Sequence, residues 1–111
     1  MSSYVPARGD LVWLDFSPQV GVEQAGRRPA LVLSDQDYNE RRRLAVVCPI
    51  TSKRKGYYFE VPINSGVIEG AVLADQVKSI DWTMRDLGAI GMAPDEVVES
   101  VLDKIADLLS M

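Results

Sequence analysis

Short apolar runs separated by polar turns fill most of the chain, and a single helical stripe closes it. Leu11-Val12-Trp13-Leu14-Asp15-Phe16 follows the turn-like Ala7-Arg8-Gly9-Asp10 and is too short for a typical helix, so it predicts a strand. Ala30-Leu31-Val32-Leu33-Ser34 and Leu44-Ala45-Val46-Val47-Cys48 are continuous apolar runs that read as buried strands, with Pro49 expected to end the ladder of the second. Tyr57, Phe59, Val61 and Ile63 alternate with Tyr58, Glu60 and Pro62, the period of a half-buried strand, and Pro62 suggests a sheet edge. Residues 70–74 and 76–82 read as two further strands or one long bent strand, and 87–91 adds a short one. Residues 35–40 fit one helical turn capped by Ser34 or Asp35, and Asn64-Ser65-Gly66 reads as a turn.

From Pro94 the period becomes helical. Pro94 suits a first turn, Asp95 and Glu96 complement the positive end of the helix dipole, and Val97, Val101, Ile105 and Leu108 share a stripe with Val98, Leu102 and Leu109. That stripe needs a surface to cover. Five to seven short strands followed by one amphipathic helix predict a mainly β fold, a small antiparallel barrel or strongly curled sheet with the helix packed on it. No internal repeat, low-complexity tract or linker interrupts residues 1–111, which read as a single domain of ordinary size.

Composition narrows the chemistry. The chain has no histidine and one cysteine, which excludes an imidazole base, a serine-histidine dyad and a zinc site built from imidazole or thiolate. Cys48 lies in an apolar run and reads as a small buried hydrophobe; a lone cysteine makes no internal bridge, which fits a reducing compartment. The start of the chain has neither a basic flank nor an apolar core, so the expectation is a soluble cytoplasmic protein with no membrane partner. The net charge of −4 is unevenly spread: residues 1–55 hold 9 basic and 6 acidic groups, residues 56–111 hold 3 basic and 10 acidic. Arg41-Arg42-Arg43 and Lys53-Arg54-Lys55 make either a positive groove on an acidic body, if their loops meet, or two solvated turns.

The stretch with the most loop chemistry is Gly21-Val22-Glu23-Gln24-Ala25-Gly26-Arg27-Arg28-Pro29. Glycines leave its backbone free and Pro29 disfavours helix at Arg28, so Arg28 is expected where a pliable loop becomes a strand. A guanidinium rooted there is placed either to hold a phosphate with its flat fork of five donors or simply to salt-bridge Glu23.

Together, Gly9-Asp10-Leu11-Val12-Trp13, the 21–29 stretch, Pro49-Ile50-Thr51-Ser52 and Leu73-Ala74-Asp75-Gln76-Val77-Lys78-Ser79-Ile80-Asp81 resemble the MazF/PemK toxins of bacterial toxin-antitoxin pairs, in order and over nearly the whole chain. The resemblance implies a small SH3-like antiparallel barrel, the PemK/CcdB-like toxin fold, with a C-terminal helix. It implies a homodimer that cleaves single-stranded RNA at short sequences, without a metal or other cofactor, to inhibit translation and growth. It also implies a MazE-like antitoxin whose acidic, poorly ordered tail lies over the RNA groove. The family's catalytic arginine falls on Arg28, its threonine on Thr51, and its loop glutamate and glutamine on Glu23 and Gln24. An aspartate used in cleavage by some PemK-like members falls on Asp75, but Leu73 stands where those members carry arginine, and Val22 where they carry histidine. Asp75 therefore reads either as structural or as a residue that shapes the RNA site, rather than as catalytic.

RNA carries its own nucleophile, so cleavage needs alignment of a 2′-OH with the adjacent phosphorus and neutralisation of the charge that develops. Arg28 and Thr51 are the expected phosphate ligands, with Glu23 the nearest carboxylate to accept a proton or orient Arg28. Arg27, Lys53, Arg54, Lys55 and Lys78 are expected on RNA phosphates, and Gln24, Asp75 and Gln76 at its bases, with Tyr57 or Tyr58 stacking on them. Trp13 and Trp82 read as core or dimer-interface residues. Two rival readings remain at this stage: a gyrase-poisoning toxin of the same fold, although the helix ends without a tryptophan, and a non-catalytic nucleic-acid-binding barrel.

Overall fold

Alternation and turn residues resolve into seven strands and two α-helices in a computed structural model that describes residues 4–18 and 21–111. The first residues of the N-terminal segment read for a targeting signal, and Gln19 and Val20 of the long loop opening at Ser17, lie outside the described residues. The order is β1 (Asp10–Asp15), β2 (Arg27–Val32), α1 (Gln36–Arg42), β3 (Ala45–Thr51), β4 (Glu60–Asn64), β5 (Glu69–Leu73), β6 (Lys78–Ile80), β7 (Gly88–Met92) and α2 (Asp95–Leu109). All pairings are antiparallel, in the spatial order β4-β5-β3-β2-β1-β7, with β6 on the free side of the first half of β3. The result is a curled half-barrel whose two ends are β4 and β7, and Pro62 sits exposed on the edge strand β4.

The sheet is buried on both faces. Under α2, Leu11, Leu31, Cys48, Ile50, Val72 and Val101 belong to one apolar cluster; on the opposite face Val12, Leu14, Phe16, Val32 and Val47 belong to another, with Trp82 packed against it. Alternate residues of one strand thus enter different cores, which is why β1 and β3 read as continuous apolar runs. Asp35 caps α1 by accepting from the backbone N–H of Tyr38 at 2.9 Å. Asn39, fully buried, donates to the carbonyl of Pro6 at 2.7 Å, and its own carbonyl accepts from the Trp82 indole at 3.0 Å. In α2, Val97, Val98 and Val101 are buried while Leu102, Leu108 and Leu109 are exposed, so the sheet covers only the first half of the stripe. Among the described residues no helix is long and apolar enough to cross a membrane.

Two expectations need correction, and one open alternative is decided. β3 does not end at Pro49: β2 pairs with residues 47–49 on one side, while on the other β6 covers Ala45–Val47 and β5 takes over at Ile50. The missing N–H of proline falls where one partner strand gives way to the next. The strand after Lys55 starts at Glu60 rather than Tyr57, and Glu60, read as solvent-facing, is buried at 8 % exposure. Residues 70–82 are two strands divided by a 3-10 turn at Ala74–Gln76. The passage of β5 across the end of β3 is so close that a Cβ on Gly70 would lie 2.1 Å from the Thr51 carbonyl oxygen, so only glycine fits there.

Candidate functional site

Three loop or turn segments meet around an open cleft of about 510 Å³: the end of the 21–28 loop, the 51–57 segment and the 3-10 turn. Arg28 is the second residue of β2, opposite Leu14, where loop becomes strand as its flanking sequence implied. Its Nε and Nη2 donate to the Ala25 carbonyl at 3.0 and 2.8 Å. That folds the loop back on its own root and engages two of the three guanidinium nitrogens, while Arg28 also lines the cleft. Thr51, last in β3, is 8 % exposed, and its Oγ1 accepts from the backbone N–H of Lys53 at 3.1 Å. A hydroxyl that accepts there has its own hydrogen left to donate.

The far wall carries acids. Asp75 accepts from the Tyr57 hydroxyl at 3.2 Å, and Glu60 accepts from the backbone N–H groups of Lys55 and Gly56. Burial first, and then the Asp75 charge, push the Tyr57 hydroxyl from 10.0 up to about 12, so it stays a donor. Gln76 Oε1 accepts from the Gln24 backbone N–H at 3.0 Å and ties the 21–28 loop to the 3-10 turn. The cleft is thus lined by three cations, Arg28, Lys53 and Lys55, against two carboxylates, Glu60 and Asp75, in a chain of net charge −4. Cys48 is fully buried, and desolvation first, then Asp75, raise its thiol to about 12, consistent with packing rather than reactivity.

Of the residues singled out from sequence, Arg28, Thr51, Gln24, Lys53 and Lys55 border this cleft, as do Tyr57, Asp75 and Gln76. Glu23 and Lys78 line an adjoining cavity of about 260 Å³, where Glu23 Oε2 lies 3.9 Å from Lys78 Nζ. The surface pairing of Glu23 with Arg28 is therefore replaced by Glu23 with Lys78. Arg27 is not in the cleft: it pairs with Asp86 at 2.9 Å and its guanidinium lies 5.5 Å from the Trp13 ring centroid. Successive strand residues face opposite sides, so two adjacent arginines at the start of β2 part ways. Arg54 borders neither cavity. Nor does the 41–43 run, which ends α1; Arg43 contributes to holding the Asp81 carboxyl below its usual range, after the hydrogen bonds from Thr83. The two tyrosines also divide. Tyr57 faces Asp75, whereas Tyr58 turns to α2, donating to Asp107 with Lys104 Nζ 3.4 Å from its ring centroid. Glu60 is the cleft residue that sequence reasoning missed; the available signal was a lone acid at the head of an apolar edge strand.

Residues 7–109 match the family of PemK-like, MazF-like toxins of type II toxin-antitoxin systems. The chain is 44 % identical to the endoribonuclease toxin MazF of Escherichia coli K12 over 109 residues, 98 % of each chain. It is 30 % identical to the endoribonuclease PemK of Escherichia coli, covering 93 % of this chain and 81 % of that one. The crystal structure of MazF from Deinococcus radiodurans superposes with a TM-score of 0.94 at 48 % identity, covering 98 % of this chain and all of the other. A MazE-MazF structure from the same organism gives 0.86 at 44 % identity, over 98 % of this chain and 99 % of that one.

Proposed function

The chain belongs to the PemK-like, MazF-like toxins of type II toxin-antitoxin systems and is an endoribonuclease, and we propose that it cuts single-stranded RNA in the cleft between Arg28 and Tyr57 by in-line attack of the ribose. The 2′-oxygen gives up its proton to a carboxylate and bonds to phosphorus as the bond from phosphorus to the 5′-oxygen breaks, and the departing 5′-oxygen takes a proton from solvent, leaving a 2′,3′-cyclic phosphate and a 5′-OH. The observation that carries this reading is that an arginine held by its own loop and a buried threonine, whose hydroxyl accepts from backbone and has its hydrogen left to donate, line the same cleft. In this reading Nη1 of Arg28 and the Thr51 hydroxyl donate to the non-bridging oxygens as their charge grows.

The base follows by elimination among the carboxylates of the two cavities. Glu60 is held by three backbone hydrogen bonds and Asp75 by Tyr57, while Glu23 has a cation at 3.9 Å as its partner. Glu23 is thus the carboxylate free to take the 2′-OH proton once RNA displaces Lys78 onto a phosphate. Gln24 and Gln76 offer hydrogen-bonding groups at the junction of both cavities, where bases dock, with Asp75 and Tyr57 shaping the same wall. Lys53 and Lys55 take flanking phosphates, and the exposed Arg54 and Arg27 add weaker, more distant ones.

The MazE-MazF relatives support a cognate MazE-like antitoxin as the partner; in the same proposal its acidic chain covers the cleft and the working form is a homodimer acting on cytoplasmic RNA. The test is incubation with long single-stranded RNA in EDTA and sequencing of the fragment 5′ ends. Discrete fragments with 5′-OH ends are expected, and a 2′-deoxy substitution at one cut must stop cleavage there. Intact RNA would overturn the reading in favour of a binder or gyrase poison, and cutting at the deoxy position would overturn the in-line scheme.

A further inference from the structure

A carboxylate beside a cleft that takes a polyanion opposes its ligand, so Glu60 needs an account. It is the first residue of β4, paired in register with Leu73 of the cleft wall, and is buried at 8 % exposure. Both of its oxygens are committed to main chain: Oε1 and Oε2 accept from Lys55 N at 3.1 and 2.9 Å, and Oε1 accepts from Gly56 N at 2.8 Å. Gly56, at φ +81, makes the sharp turn that brings those N–H groups inward while Lys53 and Lys55 face out. The loop from Ser52 to Gly56 belongs to no strand, and the backbone donors of Lys53, Lys55 and Gly56 go to two side chains, Thr51 and Glu60.

We propose that Glu60 is a positioning residue for RNA binding: its buried carboxylate folds the 52–56 loop so that Lys53 and Lys55 stand at the cleft mouth and take the phosphates flanking the cut. The Coulomb cost of one acid is offset because it holds the Lys55 and Gly56 amides through charge-assisted bonds, about twice as strong as neutral ones, and so fixes the end of the loop whose Lys53 amide Thr51 holds. It acts through the loop and touches no reacting atom. This rests on the cleft being the RNA site.

The test compares wild type, Glu60→Gln and Glu60→Ala in cleavage of single-stranded RNA and in binding of 2′-O-methylated single-stranded RNA, which lacks the free nucleophile, across a salt series. Glu60→Ala is expected to raise KM about tenfold with kcat within threefold, and to flatten the salt dependence by about 0.7 in log–log slope for each lysine displaced. Glu60→Gln, with one acceptor oxygen left, should fall between, and the Lys55 and Gly56 amides should exchange faster in both. On a Lys53→Ala/Lys55→Ala background, Glu60→Gln should cost little more. If Glu60→Ala does not fold, Glu60→Gln carries the same comparisons. Unchanged KM, salt slope and amide exchange in folded variants of an active enzyme would overturn the proposal, as would equal losses in kcat and kcat/KM. Failure of wild type itself to bind or cut RNA would instead overturn the RNA reading.

Discussion

The two loops that flank the cleft are built in opposite ways. The 52–56 loop hangs from side chains of the strands beside it, Thr51 on β3 and Glu60 on β4. The 21–26 loop is held by Arg28 on the Ala25 carbonyl, by Gln76 on the Gln24 amide, by the Phe16 amide on the Gly26 carbonyl at 2.9 Å, and by a distant ion pair from Glu23 to Lys78. The first loop presents Lys53 and Lys55 to the cleft; the second carries Glu23 and Gln24, which the proposed function takes as the base and a base-reading group. Within the proposed reading, the lysines of the 52–56 loop serve binding and Arg28 and Thr51 at the roots of both loops serve the chemical step, so substitutions at the lysines and at the roots should separate KM from kcat.

The largest effect is expected at the root of the 21–26 loop. Arg28→Ala should lower kcat by about 10² to 10³ through loss of a transition-state donor, with circular dichroism and melting temperature near wild type. Cleavage within a few-fold of wild type would end the assignment. At the root of the 52–56 loop, Thr51→Ala removes a hydrogen bond to a charged group worth about 1.5–3 kcal/mol, or roughly 10- to 100-fold in single-turnover rate. Thr51→Ser should recover most of that rate, and failure to do so would point to packing rather than to the hydroxyl. Gln76→Ala cuts the tie to Gln24 and should cost about fivefold in kcat/KM, for a neutral hydrogen bond of about 1 kcal/mol. The Gln24 amide should exchange faster, and no change in either would show that this tie does not hold the loop.

The smallest effect concerns Tyr57. Its hydroxyl titrates at about 12 instead of 10.0, so the protonated form favours the fold: that contribution is complete below 10 and is lost as pH rises through about 12. Ultraviolet titration should show a midpoint near 12 that Asp75→Asn lowers only in part, because burial is the larger cause. A full return to 10.0 would assign the shift to Asp75 alone. Stability measured over the same window should lose this step in Tyr57→Phe.

Much of the fold was legible because period and punctuation are local. The alternation at 61–63 and the stripe from Val97 each state which face is buried, and the apolar runs at 30–33 and 44–48 state that both faces are. Pro49 misled because a proline ends a ladder only if its N–H side has a partner, and two partner strands change over there. Arg28 and Thr51, singled out through the motifs that carry the family resemblance, both line the cleft. Glu60 was not singled out: alternation assigned it to solvent, and the donors that make its burial tolerable lie on a loop whose path no local pattern gives.

By itself the sequence determined the strand-rich class, the closing amphipathic helix, the exclusion of imidazole and multi-thiolate chemistry, and the junction at which Arg28 stands, since these depend on residue type and spacing along the chain. Only the tertiary structure decided that Arg27 turns to Asp86 while Arg28 faces the cleft, that Tyr57 and Tyr58 part toward Asp75 and α2, that the 41–43 run stays outside, and that Gln24 meets Gln76 across the sheet. Strand register and the curl of the sheet set those outcomes, and both arise from contacts between residues far apart in the chain.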